Sequence, residues 1–169
     1  MHNRFFVTGA ALLLLSGIAV TSVARPTDDP MSGTWKLNLA MSKYDPGPGP
    51  KSVTVTIKIE NGTETYKSEG VDASGKATLG SFTAKLDGTD SPLTGIAYAD
   101  TVSLKRIAPN HVVARLKKDG KMTMTVDVVV ATDGMSRKLI YSGKNEQGKE
   151  VHDVLVFDKE IIADTRPGR

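Results

Sequence analysis

From Ser52 onward, hydrophobic and polar residues alternate with a period of two. SVTVTIKIE sets Val53, Val55, Ile57 and Ile59 on one face and Thr54, Thr56, Lys58 and Glu60 on the other, the pattern of a strand with one buried face. Asn61-Gly62 follows, the pair best suited to the positive φ angles of a two-residue hairpin turn, so TETYKS is expected to return antiparallel. HVVARLK and KMTMTVDVVV repeat the arrangement around Asp119-Gly120. Val112, Ala114 and Leu116 share one face there, as do Met122, Met124, Val126, Val128 and Val130. Further strands are predicted over 33–39, 77–86, 100–107, 136–142 and 150–158, between the glycine-containing turns DASGK, TDGM and NEQGK. The pattern predicts nine strands and no helix.

Short strands joined by tight turns make an all-β, antiparallel up-and-down meander. Such a chain closes into a barrel, here of about eight or nine strands, or pairs two sheets as a β-sandwich. Pairing of sequence neighbours favours the barrel. A membrane-spanning barrel is not expected, because the predicted strands are short and odd in number and aromatics are too few for two interfacial girdles.

The first thirty residues do not follow this pattern. MHNR is a short basic start, FFVTGAALLLLSGIAV is apolar but short for a membrane span, and SVA ends on small residues at Ala24, which together read as a cleaved secretory signal. The expected organisation is a signal peptide over 1–24, an extended arm over 25–32, the barrel over 33–159 and a flexible tail over 160–169. A periplasmic or secreted location follows. The chain has no cysteine, so neither a lipobox nor disulfides contribute and the fold must rest on its core. Its formal net charge of +3 is scattered over both signs, which argues against a nucleic-acid-binding surface. A monomer is expected.

Gly33-Thr34-Trp35 opens the first predicted strand and contains the only tryptophan. With the meander and the LVFDKE ending, it resembles the calycin group, which includes lipocalins and fatty-acid-binding proteins. The wider pattern GTWKLN…SKY.PGP.PKS looks like a set of small exported bacterial proteins of unknown function. The resemblance implies that Trp35 closes the narrow end of a barrel whose wide end takes an apolar ligand. Two departures qualify it. Fatty-acid-binding proteins carry a helical lid between the first two strands, whereas AMSKYDPGPGPK stands here, and Pro46, Pro48 and Pro50 forbid a helix and favour an extended crossing. Those proteins also carry Arg-x-Tyr on the last strand, where this chain has Leu155-Val156-Phe157.

The candidate ligand-lining residues are Trp35, Tyr44, Val55, Ile57, Tyr66, Leu104, Met122, Met124 and Val126. Arg106 joins them as the one basic residue aligned with an apolar face, that of Val102 and Leu104; it either anchors an anionic head group or emerges at the strand end. Catalytic chemistry is not indicated: G-x-S-x-G and S-x-x-K are missing, His111 falls on an outward parity, and His152 beside Asp153 points to the opposite side of its strand. DGTDSP at 87–92 lacks calcium-loop spacing and reads as a loop. No metal or cofactor is expected, and the protein is not expected to be an enzyme. The leading expectation is a barrel that binds an apolar or amphipathic small molecule. The alternative is a protein-interaction module, such as a protease inhibitor, using the arm RPTDDPMS to enter a partner.

Overall fold

The computed structural model describes residues 29–145 and 147–161. The expected signal peptide, residues 25–28 of the arm and 162–169 of the tail lie outside the described residues.

Ten strands run in chain order: β1 (Gly33–Leu37), β2 (Ser52–Glu60), β3 (Thr63–Val71), β4 (Ala77–Lys85), β5 (Asp87–Thr94), β6 (Thr101–Ala108), β7 (His111–Lys118), β8 (Lys121–Val130), β9 (Ser136–Lys144) and β10 (Glu150–Lys159). Each pairs antiparallel with its sequence neighbours, and β1 pairs with β10 to close the barrel. The up-and-down barrel expected from the alternation is therefore present, with one more strand than the nine predicted. The hairpin turns form as Asn-Gly and Asp-Gly require: φ is 49° and 73° at Asn61 and Gly62, and 49° and 74° at Asp119 and Gly120.

The additional strand is β5 (Asp87–Thr94), where DGTDSP is expected to form a loop. Its residues are mostly turn formers, and only Leu93 is buried. Closure of the barrel supplies what local preference does not, since β5 pairs with β6 from Asp87 to Pro92 across a bulge between Asp87 and Asp90, an instance of tertiary pairing overriding strand propensity. Its ladder with β4 is limited to Ser81–Thr94 and Phe82–Leu93.

The inward residues form one core that includes Trp35, Val55, Ile57, Val102, Leu104, Val112, Met124, Val126, Val130 and Phe157. Outward positions carry Thr56 and Lys58 on β2 and Thr65, Lys67 and Glu69 on β3, all exposed. This alternation is the reverse of the apolar outer band of a membrane-spanning barrel; it replaces the expectation drawn from an odd strand count, because the count is even.

In the Gly/Pro segment the Asp45–Pro46 and Gly47–Pro48 bonds are cis. Before the prolines, residues 38–45 run along β10: the Asn38 and Lys43 amides donate to the carbonyls of Val156 and Val154 at 2.8 and 2.7 Å, and the His152 amide donates to the Asp45 carbonyl at 2.8 Å. A short β1 is thereby prolonged along its partner. The chain then turns back to β2 beneath the Tyr44 ring, so close that a Cβ at Gly49 would collide with that ring.

The N-terminal segment is held against the barrel. Met31 is 2% exposed, its carbonyl accepts the Trp35 indole N–H at 3.2 Å, and Asp29 meets Arg106 at 2.7 Å. At the other terminus the Glu160 amide donates to the Thr34 carbonyl at 2.8 Å, so residue 160, assigned to the tail by sequence, still extends the β1–β10 seam.

Candidate functional site

Trp35 is fully buried, and three side chains surround it. Met31 covers it, the Arg137 guanidinium lies 5.1 Å from its ring centroid, and the Lys159 ammonium lies 5.0 Å away. Arg137 also sits 4.8 Å from the Phe157 ring, its register partner across β9 and β10. Cation–π attraction of this kind is worth about 2 kcal/mol or more once desolvated.

Above this layer the barrel contains a cavity of about 100 Å³. Its walls are largely apolar, with Ile57, Leu104, Val126 and Leu139 among them. Tyr66 and Phe82, opposite each other on β3 and β4, contribute a stacked pair with centroids 4.6 Å apart and planes within 2°. Tyr141 comes from β9, and Tyr98 comes from the connection between β5 and β6. Burial pushes the Tyr98 hydroxyl up to about 12 and the Tyr141 hydroxyl well above its ordinary value, so both remain neutral donors at physiological pH.

Two charged side chains also line this cavity: Glu64 at the start of β3 and Arg137 at the start of β9. Both are buried, at 5% and 3% exposure. Burial raises Glu64 from 4.5 to about 7; Arg137, then Arg106, oppose that rise, and Asp29 adds to it. Among the described residues no ion pair joins Glu64 to Arg137, and the Arg137 Nε has no hydrogen-bond partner. Burial also lowers the Arg137 pKa, although an arginine starts so high that it stays charged.

The residues predicted from sequence divide into those that meet at this cavity and those that do not. Ile57, Tyr66, Leu104 and Val126 line it. Trp35, Val55 and Met124 are buried in the core but do not line it. Tyr44 packs against the core from the segment beside β10. Met122 is 52% exposed, contrary to its expected inward parity, because a bulge interrupts the β7–β8 register between Leu116–Met124 and Lys117–Met122. Arg106 points inward as its parity requires, yet its two Nη groups are engaged at 2.7 Å by the Pro109 carbonyl and by Asp29, and it does not line the cavity. Nor is it the one basic residue on an apolar parity, since Arg137 aligns with Leu139 and Tyr141. That alignment was the signal available for Arg137; for Glu64 it was the step from Glu64 to Tyr66 on β3. Outside the barrel, His111 meets Asp127 at 2.9 Å, and no cluster of metal-ligating side chains occurs among the described residues.

No protein-family model matches the chain, and no curated protein matches it.

Proposed function

We propose that this protein is an exported, lipocalin-like barrel that binds a small amphipathic molecule in its interior, as a binding protein rather than an enzyme. The observation that carries the reading is a largely apolar cavity, inside a closed barrel, that includes a buried arginine and a buried glutamate. A core meant only for stability has little use for either, because each buried charge costs several kcal/mol unless it is well paired. The volume limits the occupant. About 100 Å³ is below the ~150 Å³ that admits benzene and well below the ~300–1,000 Å³ of drug-sized sites, which favours a small occupant over a long acyl chain. Export is supported by the character of residues 1–24, and the likeness to calycins by Gly33-x-Trp35 together with the barrel.

The interaction-module reading is weaker, because the part of the arm from Asp29 to Met31 is tied to the barrel rather than presented to a partner. The deciding experiment is native mass spectrometry and solvent extraction of the full-length product purified from its producing cells, with cell fractionation to locate it. A co-purifying small molecule released on unfolding is expected. Protein that carries none and binds no small apolar or amphipathic probe would refute the reading.

A further inference from the structure

The charged end of the cavity narrows the class of ligand. A guanidinium offers two kinds of surface, π faces that stack and an edge of five N–H donors. In Arg137 the guanidinium carbon lies over the Trp35 and Phe157 rings, 5.1 and 4.8 Å from their centroids. Among the described residues, the buried Nε of that guanidinium has no acceptor. Among the described residues, the acids of this end of the barrel do not meet it either. Asp29 is bound to Arg106, and Glu64 shares the cavity wall with Arg137 without an ion pair between them. An unsatisfied buried donor is costly, and here it borders a cavity that also carries tyrosine hydroxyls.

We infer that Arg137 anchors the carboxylate of a short organic acid held in this cavity, with Glu64 and Tyr141 completing the polar surroundings and the Tyr66–Phe82 stack covering the body of the ligand. This rests on the small-molecule reading proposed above and specifies its ligand. A planar two-oxygen anion matches a guanidinium edge bidentately. A phosphate would carry more charge past Glu64 and present less apolar surface to the walls. The body is limited to a few carbons, because about 100 Å³ corresponds to roughly three waters at ~30 Å³ each. The competing occupant is water alone, which polar cavities of this size do hold.

The test uses the full chain and follows Trp35, the single tryptophan and a direct neighbour of Arg137. The protein is titrated with propionate, butyrate and octanoate, with propionamide and butyramide as neutral counterparts, and with inorganic phosphate, by emission and by calorimetry. One of the two short acids is expected to bind saturably at one site and at least about tenfold more tightly than its amide, the factor expected from losing a charge-assisted hydrogen bond. Octanoate and phosphate should bind more weakly. Arg137→Met should remove the preference for acid over amide while circular dichroism stays unchanged; if that variant does not fold, the acid–amide comparison on the unaltered protein decides. Equal binding of acids and amides, or binding of a polarity-sensitive apolar dye without the short acids, would overturn the carboxylate assignment and leave the small-molecule reading standing. Binding of no probe at all would overturn both and leave water as the occupant.

Discussion

Replacing Glu64 by glutamine should make the barrel more stable at alkaline pH and leave a much smaller difference at acid pH. Glu64 is 5% exposed, and burial raises its pKa from 4.5 to about 7. The gap, about 2.5 pH units, is worth about 3 kcal/mol at ~1.36 kcal/mol per unit. Its sign follows from proton counting. Between 4.5 and about 7 the folded state binds more protons at this site than the unfolded state does, so stability falls as pH rises through that window. Below it both states are protonated and the penalty disappears; above it both are ionised and the penalty is complete. Glutamine cannot ionise, so the Glu64→Gln protein lacks this slope. Urea denaturation followed by Trp35 emission, from about pH 4.5 to about pH 8, should show the stability difference between the two proteins growing by about 3 kcal/mol. Asp72, Asp87 and Asp100, which hydrogen bonds hold below their ordinary 3.8, contribute stability that is lost only as pH falls below the window, and equally in both proteins. A stability difference that stays constant across the window would refute the argument and mean that water reaches the Glu64 carboxylate freely.

Other substitutions probe the barrel itself. Val55→Asp and Ile57→Asp, at positions 1% and 5% exposed, should each cost more than the ~1–3 kcal/mol of an unsatisfied buried polar group, while Thr56→Asp on the exposed parity should change denaturation midpoints little; equal damage from all three would mean that both faces of β2 are covered. Met31→Ala should destabilise by about 2–5 kcal/mol as a core truncation, and an effect below about 0.5 kcal/mol, the range of an ordinary surface substitution, would show that residues 29–32 do not cap the barrel in solution. Native Trp35 emission should be blue-shifted and weakly quenched by acrylamide, shifting red on unfolding, and a solvent-like native spectrum would contradict its burial.

What the sequence made legible was the alternation, because a strand with one wet face leaves a period of two in its composition. β2, β7 and β8 could be read for that reason, and Asn61-Gly62 and Asp119-Gly120 set the registers of their hairpins. β5 was illegible because its only buried side chain is Leu93; the pairing that makes it a strand comes from β6. Met122 was misplaced for a related reason, since a bulge shifts parity by one residue without marking the sequence. The burial of Met31 was equally hidden, because nothing in RPTDDPMS says that its backbone will accept the Trp35 indole N–H.

The charged pair was a different kind of omission. β9 presents Arg137, Leu139, Tyr141 and Gly143 on its inward parity, and β3 presents Glu64, Tyr66, Ser68 and Gly70. Each strand thus runs from a charge at the Trp35 end, through an aromatic ring, to a bare glycine. The glycines have their own requirement, since a Cβ at Gly70 would strike the Ser52 carbonyl and one at Gly143 the Thr123 carbonyl. Neither strand shows the clean hydrophobic alternation of β2, so the parity that aligns Arg137 with Leu139 and Tyr141, and Glu64 with Tyr66, stands out less. In the closed barrel both are buried, Glu64 in register with Ile59 and Arg137 with Phe157. A buried charge is costly wherever the interior is solid. Beside a cavity the same charge can be answered by whatever enters, and for this reason the cavity, Arg137 and Glu64 are best explained as parts of a single site.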